Sequence, residues 1–321
     1  MAKEDLRKLR SDKPTGEYPW WDGKVKDPVK LHVSLPIYDS KIPIPQDAAM
    51  KQALTNTILG EKLEAEFNYV AGDSLVCRAR DKLAAAFMQS DCEWQLQIDS
   101  DIIFPNGMGQ DLAQYYANWM DTDTFNLFLG EGVFRLALSM NAIDEILRSG
   151  IQDGKKIVGG YYFWRGGMKN FNEAGSLFDG TDEKWEIEFK LRPDNYIKTD
   201  RLATGFLLIH RSVYEAMDKK YPELSYDLPS VYPNIPTMAY YTPIVTQETI
   251  NGKKQNFYRS EDYALGYRAK ECGFEPCLNM NLLLGHKGST IYSWFDRPPL
   301  QKLLIQNFDN PKHFIEKKDD K

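Results

Sequence analysis

Cysteine and histidine are scarce in this sequence, and long apolar runs are absent. The four cysteines, Cys77, Cys92, Cys272 and Cys277, form no Cys-x-x-Cys pair and have no histidine beside them. That spacing argues against a zinc cluster and does not suggest a disulfide framework, so reduced, small buried residues are expected. Nowhere do the ~18 consecutive apolar residues of a membrane-crossing helix occur. The opening residues, Met1-Ala-Lys-Glu-Asp, also lack the apolar core of a signal peptide. A cytoplasmic protein, bacterial or in a host cell, with no membrane partner is the expectation. Forty basic against 46 acidic residues give a net charge of −6, which argues against a broad footprint for nucleic acid or anionic lipid and leaves room only for a local basic groove. No internal repeat is present.

A hydrophobic content of 42%, with 16 Phe, 18 Tyr and 7 Trp, is enough for a large core. Residues 1–29 are rich in charge, Pro and Gly, and read as an extension anchored by Trp20 and Trp21. A main domain over 30–295 and a polar, frayed tail over 296–321 follow.

The patterning within 30–295 alternates. A β-rich run at Leu31–Ile37, stopped by Pro36, precedes a helix over about 46–63 and a strand over Glu66–Val70. Between Ser74 and Gln89, Ala79, Leu83, Ala86 and Phe87 recur at helical spacing. A strand over 94–98 and a helix over about 108–119 come next. This rhythm predicts a mostly parallel sheet flanked by helices, with ligands at the carboxyl ends of its strands. Further on, strands are predicted over 156–163, 201–210 and 276–284, and a helix from Ser212. The segments 164–184 and 222–243 read as long loops, the latter incompatible with helix because of its five prolines. Asn251-Gly252 predicts a hairpin. Ser260 and Gly273 bracket a helix whose first turn carries Glu261 and Asp262.

Chemistry gathers at Trp94-Gln-Leu-Gln-Ile-Asp-Ser-Asp-Ile, an apolar strand ending in two carboxylates, Asp99 and Asp101. Asp-x-Asp at a strand end suits a divalent cation with positions left open for phosphate oxygens, although aspartates also simply terminate strands. His286, flanked by Gly285 and Gly288, offers an imidazole ligand, which favours manganese modestly over magnesium. Arg78 and Arg80 open a helix near the same edge and suit phosphate, with Asp81 in the same turn. Lys287 suits a leaving diphosphate. Glu261 and Asp262 are the candidate catalytic carboxylates, since a base on a separate element can activate an acceptor hydroxyl; acids also favour helix starts for electrostatic reasons alone.

In order, Val-Cys-Arg-Ala-Arg-Asp-Lys-Leu, Ile-Asp-Ser-Asp-Ile, Val-Gly-Gly-Tyr-Tyr, Ala-Thr-Gly-Phe-Leu-Leu-Ile, Ser-Glu-Asp-Tyr and Gly-His-Lys-Gly-Ser resemble the GT-A glycosyltransferases. More narrowly, they resemble the soluble group common in bacteriophages and bacteria. The resemblance implies a Rossmann-like α/β fold with a smaller antiparallel ribbon and loop insertions, divided into a nucleotide-sugar half over 30–125 and an acceptor half over 126–295. It implies Mn2+ or Mg2+ on Asp99, Asp101 and His286. A nucleotide-sugar, UDP-sugar first among the choices, would lie against Leu35, Pro36, Tyr38, Arg78, Arg80, Asp81, Asp99, Ser100, Gly205, Lys287 and Ser289. Asp262 matches the base of inverting members; retention stays open. The acceptor hydroxyl belongs to a DNA base such as a hydroxymethylated pyrimidine, a glycan or a protein, with Tyr226, Tyr232, Tyr240, Tyr241, Trp164 and Arg165 as candidate contacts. A sugar-phosphate nucleotidyltransferase and a non-catalytic glycan- or nucleotide-binding module are the rival readings, and the oligomeric state is open.

Overall fold

Alternation within one short strand sets the layers of the fold. In a computed structural model, residues 28–38, 50, 63–104, 141–162, 185–188, 196–199, 201–227, 236–250, 253–287, 291–292 and 314–317 are described. Strand β3 (Trp94–Ile98) is buried along its whole length. Because strand side chains alternate, Trp94, Leu96 and Ile98 point to one face and Gln95 and Gln97 to the other. Both faces of the sheet must therefore be covered.

β3 lies inside a seven-stranded sheet formed with β1 (Val29–Ile37), β2 (Leu63–Ala71), β5 (Ile157–Tyr161), β7 (Tyr196–Lys198), β8 (Phe206–His210) and β13 (Cys277–Leu283), in the order β2-β1-β3-β8-β5-β13-β7. β1, β2, β3, β5 and β13 run in one direction, while β8 and β7 run against their neighbours. The chain is thus a mixed α/β protein with a mostly parallel sheet. The reversal of β8 matters for function: its start, at Gly205 and Phe206, lies at the same sheet edge as the carboxyl ends of β3 and β5.

Helices α1 (Val76–Gln89), α2 (Ala142–Ile151), α3 (Arg211–Lys220) and α4 (Glu261–Glu271) cover the sheet. On one face, Ile143, Ile146 and Leu147 of α2 pack with Leu31, Val33, Leu35, Leu96, Ile98 and Leu208. Gly150 permits the close approach, since a Cβ there would lie 2.7 Å from the Trp94 ring. On the other face, Phe87 of α1, Val213, Tyr214 and Met217 of α3 and Leu265 and Ala269 of α4 meet Leu207, Ile209 and Leu278. This second face also buries polar groups. Gln95 Nε2 donates to Ser34 Oγ (2.8 Å), Tyr214 Oη donates to Gln95 Oε1 (2.7 Å), and the Tyr214 and Tyr241 hydroxyls lie 2.8 Å apart. No described helix is long and apolar enough to cross a membrane.

Several sequence expectations change. β1 runs through Pro36 to Ile37, because its pairing with β3 ends at Ser34 and the missing N–H faces no partner on that side. The 222–243 segment holds a short 3-10 turn (Pro222–Leu224) and the strand pair β9 (Ser225–Asp227) and β10 (Pro236–Met238), so Pro222 and Pro236 open elements rather than exclude them. In the polar tail, β16 (Phe314–Lys317) pairs with β6 (Trp185–Glu188). The predicted hairpin is present as β11 (Ile244–Ile250) with β12 (Lys253–Arg259), and Gly273 ends α4 at φ 89°. Leu63, the predicted end of the helix over 46–63, opens β2 instead; the rest of that helix save Met50, the helix over 108–119 and the 164–184 loop lie outside the described residues.

Candidate functional site

The Asp-x-Asp turn projects from the carboxyl end of β3 and is held by backbone. Asp99 N–H donates to the Gly205 carbonyl (2.9 Å), and Ile102 N–H donates to the Asp99 carbonyl (3.1 Å). Strand β4 (Ile102–Ile103) then pairs antiparallel with β14 (Gly285–Lys287), setting His286 opposite Ile102. That register brings two remote segments together: His286 Nε2 lies 3.4 Å from Asp101 Oδ2.

Asp99 has a different environment. Arg80, almost wholly buried, grips it with both ends of its guanidinium, Nη1 to Oδ1 at 2.9 Å and Nη2 to Oδ2 at 3.1 Å. The same Nη2 lies 3.9 Å from Asp262 Oδ1, so one buried cation links the carboxylate beside the β3 end to the carboxylate at the α4 start. Thr204 Oγ1 donates to Asp262 Oδ1 at 2.6 Å. Burial raises the Asp262 carboxyl above its ordinary value, against the opposing pull of Arg80 and the Thr204 hydrogen bond. Burial, with Asp262's charge second, raises Glu261 as well.

Tyr162, just past β5, closes the cluster. Its hydroxyl accepts the Gly205 N–H (2.8 Å), and its ring packs edge-on against His286 at 5.3 Å between centroids. A Cβ at Gly205 would lie 2.4 Å from the Tyr162 hydroxyl and 3.0 Å from Ile102 Cγ1, so any larger residue there would displace both. Asp99, Asp101, Tyr162, Thr204, Gly205, Asp262 and His286 thus form one connected group around Arg80. Oxygen donors from Asp101 and Asp99 with one imidazole nitrogen suit a hard divalent cation with open positions. As placed, Arg80 takes both Asp99 oxygens, and among the described residues no group of three or more His, Cys, Asp or Glu side chains is positioned to hold a metal ion; Asp101 and His286 are the pair that lie together.

The other predicted positions are distributed differently. Leu35 and Pro36 are buried, backbone included, so neither faces open space for a ligand; Tyr38, at the strand end, is 79% exposed. Arg78 turns away from Asp99 and pairs with Asp73, its Nε 3.0 Å from both carboxylate oxygens. Asp81 faces the second layer instead: it accepts from Tyr241 N–H (3.1 Å) and Tyr226 Oη (3.4 Å), and burial pushes it up to about 7. Tyr240 and Tyr241 are buried, so as side chains they are core rather than acceptor contacts. Ser100 lies in the turn between the two aspartates, partly exposed. Lys287 pairs through its backbone with Ile291 of β15 (Ile291–Tyr292), and its side chain lies outside what is described. Ser289, Tyr232, Trp164 and Arg165 also lie outside the described residues. Sequence reasoning missed Tyr162 and Thr204. Each adjoins a glycine-containing run at a strand end, Val-Gly-Gly-Tyr-Tyr and Ala-Thr-Gly, which was the available signal.

No protein-family model matches the chain, and no curated protein matches it in sequence.

Proposed function

We propose that this protein is a metal-dependent glycosyltransferase of the GT-A type. It would transfer a sugar from a nucleotide donor, UDP-sugar being the first choice, to an acceptor hydroxyl. The observation that carries the reading is the 3.4 Å approach of His286 to Asp101 beside the Arg80–Asp99–Asp262 linkage. It supports a division of labour at one sheet edge.

Asp101 and His286, with Asp99 adjoining, would hold Mn2+ or Mg2+, whose charge neutralises a diphosphate as the bond to the sugar breaks. Arg80 keeps Asp99 oriented and offsets the repulsion between two partly buried carboxylates. Asp262, with its raised affinity for a proton, takes the proton of the acceptor hydroxyl if configuration inverts. Thr204 fixes the carboxylate rotamer by its 2.6 Å hydrogen bond. Asp262 rather than Glu261 is assigned this part because it alone of the two contacts Arg80 and Thr204.

Incubation with manganese and a panel of nucleotide sugars, reading released nucleoside diphosphate, tests the proposal. Release from at least one donor is expected, abolished by chelation and lowered on the order of a hundredfold or more in Asp101→Ala. No release from any donor, with pyrophosphate formed from a nucleoside triphosphate and a sugar phosphate, would replace this reading with a nucleotidyltransferase.

A further inference from the structure

Among the described residues the β11–β12 ribbon pairs with no further strand, and it leads directly into the helix start that carries Asp262. Its base is fixed. Arg259 is buried, donates from Nε to Thr246 Oγ1 (3.0 Å), pairs with Glu248 and lies over the Tyr267 ring at 4.5 Å. The register pairs Val245 with Tyr258, Gln247 with Asn256 and Thr249 with Lys254, so these six share the opposite face. Val245 is 65% and Tyr258 71% exposed, and Lys253 through Asn256 are exposed as well.

We propose that this ribbon is the acceptor arm and that it fits a nucleic-acid strand, an inference that rests on the glycosyl-transfer reading above. Charge points to this partner. Although the whole chain carries −6, the ribbon has Lys253, Lys254 and Arg259 against Glu248 alone, and its outward face carries no acid. Glu248 neutralises Arg259 on the inner face, leaving Lys254 on the outward face near the turn to meet a phosphate, with Lys253 exposed on the other side of the same turn end. Tyr258 offers a flat ring on which a base can stack, and the Gln247–Asn256 amide pair adds hydrogen-bonding groups between ring and lysines. Geometry agrees: seven residues at ~3.3 Å each give an arm of about 23 Å, the length of several nucleotides. Tyr258 lies four residues before Asp262, so its Cα is within about 14 Å of the carboxylate's backbone. A base held at that end is delivered to the site. The arm also reconciles an acidic protein with a polyanionic partner, since contact is confined to one basic projection.

The test titrates a fluorescently labelled DNA single strand with the full chain at low and high salt, reading anisotropy. Binding is expected to weaken with salt. The Lys254→Glu variant should lower the log–log salt slope by about 0.7, the value for one phosphate contact to a single strand. Tyr258→Ala should weaken binding about tenfold. Both variants should melt as the parent does, because the substituted side chains are exposed. Absence of binding, or binding indifferent to these changes, overturns the proposal. So does salt-independent binding of a neutral oligosaccharide that is lost in Tyr258→Ala, which would make the acceptor a glycan. Donor hydrolysis without acceptor separates the two readings: the arm variants should retain it, whereas failure of the glycosyl-transfer reading removes it from the parent while DNA binding is still measured on its own.

Discussion

The two faces of the central sheet are sealed by different chemistry. Against α2, the sheet presents Leu31, Val33, Leu35, Leu96, Ile98 and Leu208, which need only volume and shape. Against α1 and α3 it presents Ser34, Gln95 and Gln97, which need partners at fixed positions: Tyr214, Tyr241 and one another. Arg80 and Asp81 lie on this second side, and Asp81 ties Tyr241 to α1. A polar buried layer is intolerant of missing partners. It is therefore also the layer through which the site residues are positioned.

Removing Arg80 should break the contrast most severely. Arg80→Ala empties a buried position and leaves Asp99 and Asp262, 24% and 23% exposed, as mutually repelling, partly buried carboxylates, and a loss of about 4 kcal/mol is expected; chemical denaturation measures it. An equal or smaller loss than at an apolar site would mean that the linkage carries little. The apolar face supplies the reference: Leu96→Ala, at a fully buried position, should cost about 3 kcal/mol through lost transfer energy and a cavity.

The third prediction concerns pH. Asp81 is held protonated in the fold, its value raised by burial to about 7 with Tyr241, Tyr226 and Arg268 facing it. A raised value means that its contribution is fully present below the unfolded value near 4 and is lost as pH rises through about 7. Between pH 5 and 8 the loss should be about 3 kcal/mol. Asp81→Asn, which cannot ionise yet can still accept from Tyr241 N–H, should flatten thermal stability across that window. Asp262, Glu261 and Asp218 shift in the same direction, so a residual slope of the same sign is shared among them. An unchanged slope in Asp81→Asn would remove Asp81 from the account.

Much of the architecture was legible from local patterns. The strand at Trp94–Ile98, the helix over Val76–Gln89 and the hairpin at Asn251-Gly252 follow from periodicity and turn chemistry, which act over a few residues. Side-chain partners were not legible in this way. Arg78 and Arg80 look equivalent at the start of one helix, yet helical spacing sends one to Asp73 and the other to Asp99. Tyr240 and Tyr241 look like exposed aromatics in a proline-rich stretch, yet both are buried because Asp218, Asp81, Gln97 and Tyr214 take up their polar atoms.

The sequence by itself determined that an apolar strand ends in Asp99 and Asp101, that a Gly-His turn lies far downstream, and that acids open α4. Only the tertiary structure decided that His286 reaches Asp101, that Asp99 belongs to Arg80, and that Asp262 shares that guanidinium. The physical reason is range. Strand and helix preferences are settled among neighbours, whereas these contacts depend on the antiparallel return of β8 and the β4–β14 register, which bring distant segments to one sheet edge.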